Sequence, residues 1–373
     1  MFDVLLSMVI AFTIAFLAIP AIITVAETKK LFDLPDERKI HQPHIPSLGG
    51  LGIFAGFMLA CLIGIRLKVS GEFQYFYAAA LVMFFLGLKD DILVISPIKK
   101  FIGQVIAAFL IIYKGGIQIT SMNGFLGIQE LPEMFSLLLT YFTVIVVINS
   151  FNLIDGIDGL AGTLGLISAS IFGLYFLKAG SVEYAVFAFA LAGALAAFLI
   201  FNFHPAKIFM GDTGSMLIGL VNAILVIKFI NVSASPNASL PVAAAPAIGF
   251  TILLVPLLDT LRVFAIRMFH RRSPFSPDRN HIHHLMVDKG WSHMTITFTL
   301  ATCNLSIFAA AYFARNLGCT WLVLGGVGIF FSGIAALYFT RQPRLFVART
   351  TNKDRNVGKI VPLTKDIILE QKN

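Results

Sequence analysis

The sequence predicts an all-α protein that crosses a membrane many times. Three observations carry that reading. Of its 373 residues, 57% are hydrophobic, above the roughly 45–50% of a soluble domain. Only 13% are charged, where a soluble domain has about 25%. The apolar residues also gather in runs near the length of about 20 residues that a spanning helix needs.

Eleven runs emerge, near 3–25, 47–65, 73–88, 98–113, 134–152, 160–177, 184–203, 213–231, 243–266, 295–314 and 319–340. The first has neither a basic leader nor a small-residue cleavage site, so it reads as a retained helix. With the N-terminus outside, the inner segments and the stretch from Arg341 onward hold, together with Arg262, 22 of the 28 Lys and Arg residues. Such an excess marks the cytoplasmic side and places the C-terminus there. The chain thus divides into a transmembrane domain, 1–340, and a basic cytoplasmic tail, 341–373. The net charge of +8 lies between and after apolar runs, which suits lipid headgroups and phosphates. No soluble basic domain exists to hold nucleic acid. The cysteines Cys61, Cys303 and Cys319 stand far apart with no CxxC pair, so they indicate neither a cysteine zinc site nor a disulfide framework and suggest small buried side chains. Near 117–129, Ile117 and Ile119 alternate with polar residues before Asn123-Gly124. Asn-Gly favours a type I′ turn, so a short external β-hairpin is expected.

Every unusual polar cluster falls on the inner side. Asp90-Asp91 ends the third run, where adjacent carboxylates repel unless a cation separates them. Asn152, Asp155 and Asp158 recur every three residues between two apolar runs, on one helix face or one side of a turn. Acids at that depth are costly and usually functional. Asp212 opens the eighth run in Phe209-Met-Gly-Asp-Thr-Gly-Ser215. Thr213 and Ser215 suit helix caps, and the small residues also suit a phosphate or metal cradle. Asn202 and His204 lie just upstream. The loop from Arg271 to His284 holds Arg271, Arg272, Arg279, His281, His283 and His284, a dense surface for phosphate. Five acids ask for a hard divalent cation, Mg²⁺ or Mn²⁺, bridged to substrate phosphates. Acids, a cation and a basic loop on one membrane face describe phosphoryl transfer between a soluble and a lipid substrate. The rival class, a transporter, would place acids at mid-membrane and show internal repeats; neither is seen.

With Arg38-Lys39-x-His41 and Gly49-Gly50 added, these motifs together resemble the polyprenyl-phosphate N-acetylhexosamine-1-phosphate transferases, the glycosyltransferase 4 family. The resemblance covers about 1–340 in unbroken order. Ile282 interrupts the histidines, which is similar to the branch that starts O-antigen, common-antigen or teichoic-acid linkage. The branch that transfers phospho-MurNAc-pentapeptide tends to carry three consecutive histidines. The resemblance implies UDP-GlcNAc as donor, with UDP-GalNAc, UDP-QuiNAc or UDP-FucNAc as alternatives. It implies undecaprenyl phosphate as acceptor and a bacterial inner membrane with the site facing the cytoplasm. A homodimer is compatible with it. It also implies roles. Asp212 would bind Mg²⁺ directly, with Asp91, Asp155 and Asp158 holding the metal or its waters and orienting the nucleotide. Asp90 would be the base on the lipid phosphate, or an Asp would act as covalent nucleophile in two steps. Asn152 and Asn202 would contact the nucleotide and Phe209 the uracil. Arg279, His281, His283 and His284 would hold diphosphate and sugar, and Lys100 the acceptor phosphate.

Overall fold

The computed structural model describes residues 1–30, 45–67, 70–234, 238–274 and 280–339. Arg38, Lys39, His41, Arg279 and the tail 341–373 lie outside the described residues. Thirteen α-helices are described: α1 Phe2–Lys29, α2 Gly49–Gly64, α3 Phe73–Ile92, α4 Pro97–Phe109, α5 Glu133–Ile154, α6 Leu160–Lys178, α7 Val182–Asn202, α8 Gly211–Ala234, α9 Ala245–Ile252, α10 Leu254–Phe269, α11 Ile282–Val287, α12 His293–Phe313 and α13 Cys319–Phe339. Each of the eleven apolar runs is helical. Among the described residues, seven helices are long and apolar enough to span a membrane, and an eighth span forms if α9 and α10 count as one. The protein is therefore a multi-pass, all-α membrane protein.

Helix α8 is the axis of the bundle. It packs against α5, α3, α2 and α6, and 83% of its apolar stretch is buried, against 17% for α1. Lipid tails are as apolar as Leu, so close backbone approach drives the packing. At Gly50 a Cβ would stand 2.2 Å from the Gly214 amide nitrogen. At Gly87 it would stand 2.5 Å from the Thr213 Cα. Glycine at these two positions lets α2 and α3 press onto the start of α8.

The run 243–266 is not one continuous span. It breaks at Leu253, and α9 meets α10 at 81°. The cause is legible at Pro256. It has no amide hydrogen, and its ring collides with the carbonyl four residues back, at Ile252. Asn304 of α12 repairs the break. Its Nδ2 donates to the Ile252 carbonyl at 2.8 Å and its Oδ1 accepts from the Val255 amide at 3.0 Å. Irregular backbone at membrane depth survives only where such partners exist.

The hairpin is present, but its turn is displaced from the expected position. Strand β1, Ser121–Phe125, pairs antiparallel with β2, Ile128–Glu130. The two-residue turn is Leu126-Gly127, both at positive φ. Asn123-Gly124, also at positive φ, instead forms an irregularity inside β1. There Asn123 Oδ1 accepts from the Ser121 hydroxyl at 2.8 Å, which occupies the side chain locally. Of the cysteines, Cys61 and Cys319 are buried as expected, whereas Cys303 is exposed.

Replacing Asn304 by Ala leaves a buried amide and a buried carbonyl unpaired. The expected cost is ~1–3 kcal/mol, read as a lower thermal transition of the detergent-solubilised protein. An unchanged transition would mean that the break is held by other contacts.

Candidate active site

The acids converge at one end of the bundle, each placed by a helix terminus. Asp90 and Asp91 end α3, Lys100 opens α4, Asn152 ends α5, and Asp212 lies in the first turn of α8. Asp91 serves as the cap that α8 does not carry itself. Its Oδ1 accepts from the Asp212 amide at 2.6 Å, and its Oδ2 from the Thr213 amide at 3.0 Å and the Thr213 hydroxyl at 2.5 Å. A carboxylate suits this position because a helix N-terminus has free N–H groups and a positive dipole end. Thr213 is thus a partner of the cap, and Ser215 accepts from Asn152 Nδ2 at 3.1 Å.

Asp212 is turned toward the neighbouring helices. Asn152 Nδ2 donates to its Oδ1 at 2.9 Å. The Lys100 ammonium bridges Asp212 and Asp90, 2.5 Å from the Asp90 carboxylate. Lys100 therefore sits among the acids, where it offsets the repulsion between two carboxylates. Asp90 is further fixed by the Ile95 amide at 2.7 Å.

The spacing of Asn152, Asp155 and Asp158 resolves as a turn. Helix α5 ends at Ile154 and α6 starts at Leu160. Asn152 faces Asp212. Asp158 meets two histidines, with its Oδ2 2.7 Å from His204 Nδ1 and 3.2 Å from His293 Nδ1. Asp155 lies beyond the helix end, and among the described residues its carboxylate has no hydrogen-bond or ion-pair partner. Burial, then the charges of Asp212, Asp91 and Asp158, push its pKa up to about 8. A crowded, unpaired oxygen donor of this kind fits a hard divalent cation. Asp90, Asp91, Asn152, Asp155, Asp158 and Asp212 line a cavity of about 420 Å³, together with Asn202, Phe209 and His293. Asn202 belongs to its wall more than to its space. Its Oδ1 accepts from the Gly159 amide at 2.8 Å, and its Nδ2 donates to the Ile208 carbonyl at 2.8 Å. Phe209 is 38% exposed at the rim.

The histidine loop closes onto the Asp155–Asp158 turn. His283 is buried, and a Cβ at Gly156 would stand 2.6 Å from its Nε2, so glycine is needed there. Burial and then the neighbouring His284 push the His283 pKa down to about 3. It is therefore a neutral imidazole near pH 7, a hydrogen-bonding group and not a cation. His281 stacks parallel to it at 5.6 Å. His284 packs against His283 at 4.3 Å between ring centroids.

Three residues that the sequence did not single out hold this loop and wall. Asp259 on α10 is buried. Its Oδ1 accepts from Arg262 at 2.8 Å and from the Ile282 amide at 3.0 Å. Its Oδ2 lies 2.9 Å from His281 Nδ1. Arg262 reaches on to the Asn280 carbonyl. The signal was available, since Asp259 and Arg262 form an i,i+3 charged pair inside an apolar run. His293 gave no such signal, because only tertiary packing brings α12 to Asp158.

A spanning-helix bundle with a cleft of acids and a wall of histidines at one end has the groups that phosphoryl transfer at a membrane face requires. Residues 73–230 match the family model described as glycosyl transferase family 4. Over 341 residues the chain is 34% identical to the undecaprenyl-phosphate alpha-N-acetylglucosaminyl 1-phosphate transferase of Haemophilus influenzae, covering 88% of this chain and 92% of that relative. It is 36% identical over 291 residues to the decaprenyl-phosphate N-acetylglucosaminephosphotransferase of Mycolicibacterium smegmatis, covering 69% of each. It is 30% identical over 329 residues to a probable undecaprenyl-phosphate N-acetylglucosaminyl 1-phosphate transferase of Bacillus subtilis, covering 86% of this chain and 88% of the relative. The chain belongs to glycosyl transferase family 4.

Asp259→Ala leaves Arg262 buried without its carboxylate and frees the Ile282 amide. Breaking a buried pair in this way costs ~3–5 kcal/mol. The expected result is a lower thermal transition together with faster proteolysis in the loop before α11. A variant as stable and as protease-resistant as the parent would remove Asp259 as the anchor.

Proposed function

We propose that this protein transfers GlcNAc-1-phosphate from UDP-GlcNAc to undecaprenyl phosphate, releasing UMP and undecaprenyl-diphospho-GlcNAc. The reaction is the first membrane step of a cell-surface glycan and takes place at the cytoplasmic face of a bacterial inner membrane. One observation carries the reading: the Asp155 carboxylate, without a partner among the described residues, is crowded by Asp212, Asp91 and Asp158 at a single end of a membrane bundle. The names of the relatives supply the substrate pair, and the Lys and Arg asymmetry supports the orientation.

A divalent cation, Mg²⁺ before Mn²⁺, supplies charge neutralisation at the donor diphosphate, and Asp212 and Asp155 are the oxygen donors we assign to it. Asp91 has one acceptor lone pair left on Oδ1 and acts first by fixing α8, second as a further ligand. Asp90 keeps the lipid phosphate free of its proton, and Lys100 releases Asp90 and Asp212 to hold that phosphate. Asn152 and Asp158 orient the nucleotide, with Phe209 at the rim for the uracil and Asn202 shaping the wall. His281, His283 and His284, with Arg279, meet diphosphate and sugar. The neutral His283 does so by hydrogen bonding. An apolar groove of about 380 Å³ between α5, α9, α10 and α13, lined by Phe142, Val146, Phe250 and Leu257 among others, suits a prenyl chain.

The direct test is UMP release from UDP-GlcNAc and undecaprenyl phosphate, with and without Mg²⁺, beside other UDP-N-acetylhexosamines. Asp212→Asn is expected to lower turnover by at least ~100-fold while the protein still folds. Turnover near the parent's would sink the assignment. The raised pKa of Asp155 gives a second test. Below about pH 8 its proton competes with the cation. Mg²⁺ affinity should therefore rise with pH up to that value and level off above it, with proton release on binding. Calorimetry in buffers of different ionisation enthalpy reads both effects. A pH-independent affinity without proton release would count against Asp155 as ligand.

A further inference from the structure

We propose that Asp158, His204 and His293 form a second metal site, for a transition-metal ion of the zinc class, distinct from the acid cluster around Asp212. One ligand atom from each lies within 4.8 Å of the other two. The two edges to the Asp158 carboxylate are 2.7 and 3.2 Å. A tetrahedral ion with bonds of about 2.0–2.1 Å sets its ligand atoms roughly 3.4 Å apart. Small side-chain shifts therefore suffice to bring all three onto one ion.

A second observation points to a ligand. The His293 side chain is 38% exposed, but its Nδ1 atom is shielded from solvent and makes no hydrogen bond, although it lies 3.2 Å from the Asp158 carboxylate. A buried ring nitrogen in that state calls for an explanation. A cation shared between nitrogen and oxygen satisfies both. Without an ion, both imidazoles compete for one carboxylate oxygen, at 2.7 Å from His204 and 3.2 Å from His293.

The donor set selects the metal. Mg²⁺ prefers oxygen donors and keeps its waters, whereas two imidazoles and a carboxylate suit zinc and its neighbours. The ligands come from three separate places: the α5–α6 turn, the α7–α8 loop and the first residue of α12. The Thr297 hydroxyl donates to the Asp158 carbonyl at 3.0 Å and steadies the turn from outside, as supporting partners of metal sites do. Three protein ligands leave a fourth position open. Asp158 and His293 both line the cavity, so that position opens toward it. An ion here ties α12 to the α5–α6 turn.

The test uses the full-length protein with any purification tag removed, stripped by chelator and titrated with Co²⁺ and Zn²⁺ in excess Mg²⁺. The expected result is one equivalent of Co²⁺ with the visible bands of a tetrahedral site, displaced by Zn²⁺. The double variant His204→Gln/His293→Gln should bind at least ~100-fold more weakly, and Asp212→Asn should bind as the parent does. If the double variant fails to fold, His204→Gln alone, at a position 53% exposed, serves in its place. Equal uptake by parent and histidine variant overturns the proposal. So does uptake lost in Asp212→Asn but kept in the histidine variant, since the ion would then be in the acid cluster. These titrations need no turnover, so a failure of the proposed transferase reaction would leave their outcome unchanged.

Discussion

The N-terminus of α8 is the constraint on which the site depends. A helix that begins inside a membrane protein has amide groups with no helical partner, and there is little water to satisfy them. Asp91, from another helix, takes the Asp212 and Thr213 amides and the Thr213 hydroxyl. A carboxylate can reach that place only if α3 runs against α8 at backbone distance, which Gly87 permits. With α8 fixed, Asp212 has one direction left to face. Lys100 and Asn152 meet it there from α4 and α5. The acids are therefore close because helix packing holds them together against their mutual repulsion, and a bridging lysine offsets part of the charge.

The opposite wall rests on Asp259. This buried acid gathers Arg262, His281 and the start of α11 onto α10. The histidine loop, which as a loop need have no fixed position, is thereby pressed against the bare backbone at Gly156. The sharp break before α10 is part of the same design. It redirects the chain, so that α10 packs along α5 while α9 stays against α8 and α13. Pro256 enforces the break, and Asn304 satisfies the backbone groups it exposes.

Much of this was legible in the sequence. Long apolar runs give spanning helices because a backbone in lipid must bond to itself. The polar motifs fell at run ends, and they come together at one end of the bundle. The hairpin was legible as an element but not in register, because Asn123-Gly124 and Leu126-Gly127 compete for the turn and the Ser121 contact decides between them.

By itself, then, the sequence determined the membrane class, the helices and the motifs that mark the family, since composition and motif order do not depend on packing. Only the tertiary structure decided how those residues divide the work. It set Asp91 on a helix end, left Asp155 without a partner among the described residues, committed both ends of the Asn202 amide to the backbone and turned Asp158 toward His204 and His293. These assignments depend on which side chain is the nearest partner across the bundle. Residues such as Asp91 and Thr213 are distant in the chain and adjacent only in space.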